Sequence, residues 1–273
     1  MTKLNSVFRD EIKMHLSVRE AELSHEAYRH YRRTMVLFDN YLCRIHHTDK
    51  EIPESVIESW IKEVNVGISL NTSSQHVHYV RQLLLFLVNS GYKCFIPRTL
   101  ITHDTYVPYL YSDEDIEKIF EVADSLVVTR ATKNKYVEKE MPLFLRLLYC
   151  CGLRVGETVS IKVGDLDFDR NLIILRVTKK YKQRLVPFGK DLAEIIYRYC
   201  IGMGILNDSE AYLFPGEDTH SHISTNNVGN YYRIIRKRAG INNSWQIKNG
   251  RGACLHCFRH TSVSYTHLRA HET

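Results

Sequence analysis

Near its C-terminal end the chain reads Leu255-His256-Cys257-Phe258-Arg259-His260-Thr261, directly after Cys254. Taken alone, a histidine such as His256 is more often structural than functional. Cys254, His256 and Cys257 resemble half of a zinc site, but no second ligand pair at metal spacing occurs elsewhere in the sequence, and a closed structural site needs four ligands. We therefore predict no metal, and the stretch has to be interpreted together with the rest of the chain.

A second stretch, Gly152-Leu153-Arg154-Val155-Gly156-Glu157, follows a helical pattern of leucines that ends near Cys151. Between the two stretches, runs of β-forming residues at 172–177 and 184–187 flank a Lys-Lys-Tyr-Lys-Gln turn, which predicts a hairpin. Helical patterns return at 190–200 and 227–239. We expect this part of the chain to be mostly helical with one small antiparallel sheet.

Two amphipathic helices are predicted in the N-terminal part. The first opens at Ser24, a favourable N-cap, and its apolar stripe recurs at spacings of three and four. The second is expected to begin after the polar run 71–74 and to end at Gly91. The stripe of the first helix comprises Tyr28, Tyr31, Met35, Phe38 and Leu42. These patterns predict a small helical bundle over residues 10–95.

Basic residues form strips on two of the predicted helices. Each strip has two open interpretations, a solvated helix face or a surface that contacts a phosphate backbone. The candidates are Arg29, Arg32 and Arg33 on the first helix, and Arg233, Arg236 and Lys237 on the helix at 227–239.

The helical pattern lapses between the two parts of the chain. Prolines punctuate an extended stretch that we interpret as a linker, residues 96–107. Ser112-Asp113-Glu114-Asp115 then predicts an acid-rich helix start, because carboxylates stabilise helix N-termini. The second domain is expected to span residues 108–262.

Composition limits the class of protein. The 273 residues are 44% hydrophobic and 25% charged, and the net charge of +6 permits a polyanionic partner without requiring one. No apolar run reaches the roughly 18 residues of a membrane helix, and no signal peptide is recognisable, so we expect no membrane association and a cytoplasmic location. The seven cysteines are odd in number, which favours reduced thiols over a disulfide framework.

Four sequence boxes in a fixed order resemble the tyrosine recombinase (phage integrase) family. They are Gly152-Leu153-Arg154-Val155-Gly156-Glu157, Lys179 before Arg184-Leu185-Val186-Pro187, Leu213-Phe214-Pro215-Gly216, and Leu255-His256-Cys257-Phe258-Arg259-His260-Thr261. The resemblance covers residues 10 to 262. It implies an α+β fold, mainly α with a small antiparallel sheet, in which an N-terminal helical core-binding (SAM-like) domain precedes the catalytic domain.

The resemblance also implies a chemistry. In this family a tyrosine attacks a DNA phosphodiester, forming a 3′-phosphotyrosyl link and freeing a 5′-hydroxyl. Arg154 and Arg259 match the two arginines that clamp the phosphate, and two guanidinium groups can do electrostatically what metal ions do in other nucleases. His256 matches the phosphate-binding histidine, and Glu157 is expected to support Arg154. No metal or other cofactor is then needed.

Lys179 matches the lysine that acts as general acid toward the leaving 5′-oxygen. Its neighbour Lys180 is an alternative, because a shift of one residue in the turn would exchange them. The family resemblance further implies double-stranded DNA as partner and a synaptic tetramer for the full-length parent.

The C-terminal segment departs from the family pattern. The family's nucleophilic tyrosine lies several helices beyond the second arginine, whereas Tyr265 lies six residues after Arg259, so we assign no nucleophile. Residues 263–273 also match an in-frame translation of a transposase-recognised sequencing adapter. We expect this tail to be non-native and the native sequence to stop near Ser262.

Two classes of function therefore stay open. The first is a site-specific recombinase of a phage or mobile element, present here as a truncated and inactive chain. The second is a noncatalytic DNA-binding fragment that competes with a full-length recombinase. A zinc-dependent nuclease built on Cys254, His256 and Cys257 is a distant third interpretation, and it predicts that a chelator unfolds the protein.

Overall fold

The computed structural model describes residues 4–64, 66–99, 107–127, 136–176, 183–241 and 252–272, with side chains as far as residue 265. The chain divides into two compact units, residues 1–105 and 106–273. The predicted linker, 96–107, is described only in part, and the domain boundaries stay predictions.

The N-terminal unit contains four described helices, and their buried side chains share one core. The sequence patterns found the second and fourth helices but missed the first and third. The first helix was missed because its buried face includes His15 beside Ile12 and Leu16, which weakens the apolar periodicity. The helices are α1 (Arg9–Glu22), α2 (His25–Arg44), α3 (Glu54–Val64) and α4 (Leu70–Asn89).

Helix α2 forms as predicted. The Ser24 hydroxyl caps it by accepting a hydrogen bond from the backbone N–H of Ala27 at 3.4 Å. Four members of the predicted stripe are buried, and Tyr28 is half-buried. The apolar stripe of α2 therefore faces the core of the unit.

The predicted start of α4 was wrong. The helix begins at Leu70, before the polar run 71–74, because Ser69 caps it by accepting from the backbone N–H of Thr72 at 3.2 Å. A polar run is compatible with first helical turns, where side chains and water satisfy the free N–H groups. The predicted end was confirmed, since Gly91 follows the helix with a φ of +92°.

In its described segments the C-terminal unit is mostly helical with a three-stranded antiparallel sheet, as the sequence predicted. The acid-rich start of its first helix is confirmed by a capping box between Ser112 and Asp115. Its helices are α5 (Asp113–Asp124), α6 (Val137–Cys150), α7 (Val155–Val159), α8 (Lys190–Met203), α9 (Thr225–Arg238) and α10 (Leu255–Glu272), with a 3-10 turn at Val163–Asp165.

The sheet has the strand order β1 (Leu166–Asp167), β2 (Leu172–Leu175) and β3 (Arg184–Pro187). The predicted hairpin is confirmed, and its register pairs the last residue of β2 with the first of β3, Leu175 with Arg184. Strand β1 was not predicted, because two residues carry no recognisable alternation. The turn between β2 and β3 contains Lys179 and Lys180, and both lie outside the described residues.

Helix α6 lies at the centre of the unit and contacts α5, α7, α8, α9 and α10. Near the start of α10, the buried ring of Phe258 packs against the rings of Tyr111 and Tyr232, at centroid distances of 4.7 and 5.7 Å. The Thr261 hydroxyl accepts a hydrogen bond from the Tyr111 backbone N–H at 3.0 Å. These contacts fix the first turns of α10, which carry the predicted site residues His256 and Arg259.

Across the part of the chain that the structure describes, no helix is both long and apolar enough to span a membrane.

Candidate active site

The site is organised around the carboxylate of Glu157, which lies on the one-turn helix α7. One oxygen accepts from Arg154 Nη1 at 2.7 Å. The other accepts from the Arg154 backbone N–H at 2.9 Å and from Arg184 Nη2 at 2.7 Å. Arg184 begins β3, so one carboxylate joins the end of the α6–α7 turn to the edge of the hairpin.

The surroundings of Glu157 keep it ionised. Its side chain is only 5% exposed, and this burial by itself raises the pKa of the carboxyl group. The hydrogen bonds from Arg154 and the charge of Arg184 outweigh burial, so the net pKa lies below its ordinary value. The two arginine side chains are 45% and 37% exposed, which leaves part of each guanidinium group open to a ligand.

Arg259 reaches the same place from α10. Its Nη1 donates a hydrogen bond to the backbone carbonyl of Gly152, two residues before Arg154. Burial lowers the pKa of Arg259, and the charges of Arg154 and Arg184 lower it further. Three guanidinium groups thus lie within electrostatic reach of one another, and the carboxylate that binds two of them offsets one positive charge. Such a cluster attracts an anion.

His256 is exposed on the first turn of α10. Its ring stands edge to face with that of His260, at a centroid distance of 4.7 Å. Burial, followed by the charges of His260, Arg259 and Arg154, lowers the pKa of His256 below its ordinary value. A neutral imidazole can donate one hydrogen bond to a phosphate oxygen, and a bound anion would raise its pKa again.

The structure brings together three of the four predicted catalytic residues, Arg154, His256 and Arg259. The fourth, Lys179, lies outside the described residues. The contact expected between Glu157 and Arg154 is present. The sequence analysis did not predict Arg184 as a site residue. The only signal for it was weak: its position at the start of a strand, directly after the lysine-rich turn.

The first basic strip lies on α2. Arg29 and Arg33 are exposed and Arg32 is half-buried, and all three line a cavity of about 500 Å³. Arg29 also lies 3.6 Å from a carboxylate oxygen of Glu26. Their predicted role in DNA binding stays a prediction.

The second basic strip lies on α9. Arg233 and Lys237 are exposed, and Arg233 donates to the side-chain oxygen of Asn230 at 3.1 Å. Arg236 is half-buried, and its Nη1 donates to the Ala253 carbonyl at 2.8 Å. Arg236 therefore holds the segment before α10 in place. The role of this strip in DNA binding stays a prediction.

Cys254, His256 and Cys257 were considered above as half of a zinc site. No cluster of three or more histidine, cysteine, aspartate or glutamate side chains that could hold a metal ion occurs within the described segments.

The family model of the phage integrase family matches residues 110–269. This match covers more than half of the chain, and the chain therefore belongs to the phage integrase family. Among curated relatives, it is 30% identical over 138 residues to the tyrosine recombinase XerA of Pyrococcus horikoshii, covering 50% of this chain and 43% of the relative. It is 36% identical over 121 residues to the tyrosine recombinase XerC of Chromobacterium violaceum, covering 44% and 36%. The chain thus spans less than half the length of these two relatives.

Solved structures share the fold. The XerH site-specific recombinase in a post-cleavage complex with its palindromic difH substrate matches with a TM-score of 0.69 and 17% identity, covering 90% of this chain and 70% of that one. Residues 75–356 of lambda integrase bound to DNA match with a TM-score of 0.67 and 14% identity, covering 94% and 85%. At these identities the matches establish the fold alone.

Proposed function

We propose that the protein derives from a site-specific DNA recombinase of a phage or mobile element and that its site binds one DNA phosphodiester. The observation that carries this proposal is the Glu157-centred cluster. Glu157 binds Arg154 and Arg184. Arg259, from a segment about 100 residues further along the chain, binds the Gly152 carbonyl two residues before Arg154, and its charge acts on His256.

The proposed reaction uses the cluster to stabilise negative charge. A tyrosine oxygen attacks the phosphorus and the bond to the 5′-oxygen breaks, which leaves a 3′-phosphotyrosyl link. Charge builds on the nonbridging oxygens in the transition state, where Arg154 and Arg259 donate hydrogen bonds. His256 donates to the same phosphate. Lys179, or Lys180 in its place, gives a proton to the leaving 5′-oxygen.

Glu157 and Arg184 have a positioning role in this proposal. A free arginine side chain samples many rotamers, and ordering it on binding costs about 2 kcal/mol. The carboxylate of Glu157 holds Arg154 by both its backbone N–H and its guanidinium group before DNA arrives. The site is therefore preorganised for the phosphate.

We further propose that the 273-residue chain does not itself cleave DNA. Tyr265 lies on α10 six residues after Arg259, which places it about 9 Å along the helix and about 120° around it. That displacement points Tyr265 away from a phosphate held by Arg259. Residues 263–273 are, in this proposal, a non-native tail, and a genomic read across codon 262 that continues unchanged through the tail would refute it.

A nicked suicide DNA substrate separates the two classes of function. The enzyme lineage predicts a covalent protein–DNA product when a longer native reading frame is expressed, and none from the 273-residue chain. Covalent product from the 273-residue chain would contradict its proposed inactivity. The alternative, a noncatalytic fragment that competes with a full-length recombinase, predicts no covalent product from either protein and inhibition of the recombinase by this chain.

We also propose that the partner is double-stranded DNA and that the full-length parent assembles as a synaptic tetramer. The proposed location is the cytoplasm, where thiols stay reduced.

A further inference from the structure

Two cysteines flank the site histidine in a reactive geometry. Cys254 lies directly before α10 and is exposed, whereas Cys257 lies in the first turn and is buried. Their sulfur atoms are 3.4 Å apart. Residues three apart at a helix start have Cα atoms separated by about 5 Å, within the range that a disulfide bridges.

The two thiols differ in acidity. The two thiols are within hydrogen-bond distance, and once Cys254 is ionised only the Cys257 thiol can donate in that pair. The backbone N–H groups of Cys257 and His256 and the charge of Arg236 add to the stabilisation of the Cys254 thiolate. Together they hold the pKa of Cys254 below its ordinary value, although the partial desolvation of its sulfur acts to raise it. The pKa of Cys257 is raised, because ionising it would remove its hydrogen bond to the Cys254 thiolate and because its sulfur is buried. The exposed sulfur is therefore the nucleophile, and the buried one keeps its proton.

A cavity of about 370 Å³ opens beside Cys254. Arg233 and Arg236 line it together with His256, so its charged lining is cationic. Arg236 is held in place by its hydrogen bond to the Ala253 carbonyl at 2.8 Å. A small anionic molecule that enters this cavity arrives next to the reactive sulfur.

We propose that Cys254 and Cys257 form a redox-active dithiol that reacts with anionic low-molecular-weight disulfides. The Cys254 thiolate attacks one sulfur of the small disulfide, forms a mixed disulfide and releases one small thiolate. Cys257 then loses its proton to solvent and attacks the Cys254 sulfur, which releases the second small thiolate. The dithiol is oxidised to a disulfide, and the small disulfide is reduced to two thiols.

Closing this bond changes the position of His256, which lies inside the ring that the disulfide closes. The sulfurs must approach from 3.4 Å to about 2.05 Å. Cys257 is fixed in the core, so Cys254 has to move, and its carbonyl is the acceptor for the Tyr111 hydroxyl at 2.9 Å. Oxidation thus disturbs the turn that presents His256. This consequence rests on the proposed function, whereas the dithiol chemistry does not.

The dithiol is tested on the 273-residue chain with oxidised glutathione. Trypsin releases a peptide, residues 252–259, that contains Cys254 and Cys257 and no other cysteine. We expect mass spectrometry to show this peptide with its mass lowered by two hydrogen atoms, as disulfide formation requires. In the Cys257→Ser variant we expect a trapped glutathione adduct at residue 254. An adduct on Cys257 in Cys254→Ser that forms as fast would contradict the assigned nucleophile, and an unreacted peptide 252–259 would overturn the proposal.

The cationic cavity is tested with an uncharged disulfide, bis(2-hydroxyethyl) disulfide. Oxidised glutathione should react faster at low salt, and the advantage should fall at high salt and in Arg233→Gln. Arg233 is exposed, so this substitution leaves the core intact. Equal rates for the two disulfides in the unsubstituted chain would refute the anionic preference.

The link to His256 is tested by DNA binding of the reduced and the oxidised chain. We expect oxidation to weaken binding by about tenfold, the loss of one charge-assisted hydrogen bond, and to have no effect in Cys254→Ser. Failure of the reduced chain to bind DNA would refute the proposed function and leave the peptide result standing. Equal binding by both forms would refute only the link to His256.

Discussion

Arg259 donates a hydrogen bond to the backbone carbonyl of Gly152, across 107 residues of sequence. The contact joins the first turns of α10 to the turn between α6 and α7, and it places the Arg259 guanidinium beside those of Arg154 and Arg184. Two segments that are each unremarkable alone therefore build one anion site.

Arg259→Lys should weaken DNA binding by about tenfold. The planar guanidinium group of arginine can bind the Gly152 carbonyl and a phosphate at the same time, whereas the ammonium group of lysine lacks this forked geometry. Fluorescence anisotropy with a DNA duplex measures this. For Arg259→Gln, the slope of log affinity against log salt should fall by about 0.9, the value for one lost phosphate contact. Arg198→Gln, on an exposed residue of α8 that pairs with Glu194, is the control. An equal loss in the control would show a general charge effect.

Glu157→Gln should destabilise the protein by about 1–3 kcal/mol, since it removes the buried charge that binds two arginines. Urea unfolding measures the loss. The matched control is Glu210→Gln, which breaks an exposed pair with Lys162 and should cost less than about 1 kcal/mol. Equal effects of the two substitutions would contradict the central role of Glu157.

Gly152→Ala should both destabilise the protein by about 1 kcal/mol and weaken DNA binding. Gly152 has a φ of +57°, and an added Cβ would lie 3.3 Å from Ser262 Oγ, so the carbonyl that receives Arg259 has to shift. Gly202→Ala, inside α8 with open space around it, should instead be neutral or stabilising. Thermal unfolding and anisotropy of both variants check this, and unchanged binding in Gly152→Ala would mean that the carbonyl does not position Arg259.

We expect the N-terminal unit to lose stability in acid because of the buried side chain of His15. It is buried with its Nε2 2.6 Å from the Tyr31 hydroxyl, and burial, with the charge of Arg19, lowers the pKa of His15 to about 4. The unfolded chain binds the His15 proton more tightly than the folded chain does. The folded state therefore has its full free energy of unfolding above pH 6.5, and part of it is lost as the pH falls toward 4. The loss should be about 2–4 kcal/mol.

The control for this prediction is His15→Gln, which can still hydrogen-bond Tyr31 but does not titrate. Urea unfolding at several pH values between 7.5 and 4 should show a smaller acid loss in His15→Gln than in the unsubstituted protein. The same pH dependence in both proteins would assign the loss to other groups.

Local patterns determined much of the architecture. Ser24, Ser112 and Gly91 mark helix ends, because capping and left-handed conformations depend on a few neighbouring residues. The hairpin followed from two β-forming runs around a polar turn. Helix α1 escaped detection because a buried histidine replaces an apolar residue, and the start of α4 was misplaced because a polar run can lie inside a capped first turn.

The order of the sequence boxes by itself indicated the family and predicted the site residues Arg154, Lys179, His256 and Arg259. Only the tertiary structure decided that Glu157 binds Arg184 as well as Arg154, that Arg259 binds Gly152, and that two thiols meet beside His256. Cap and periodicity signals act over a few residues, whereas these contacts join segments far apart in the chain. Their geometry depends on how the core packs α6, α7, α10 and the hairpin together, and no local pattern encodes that packing.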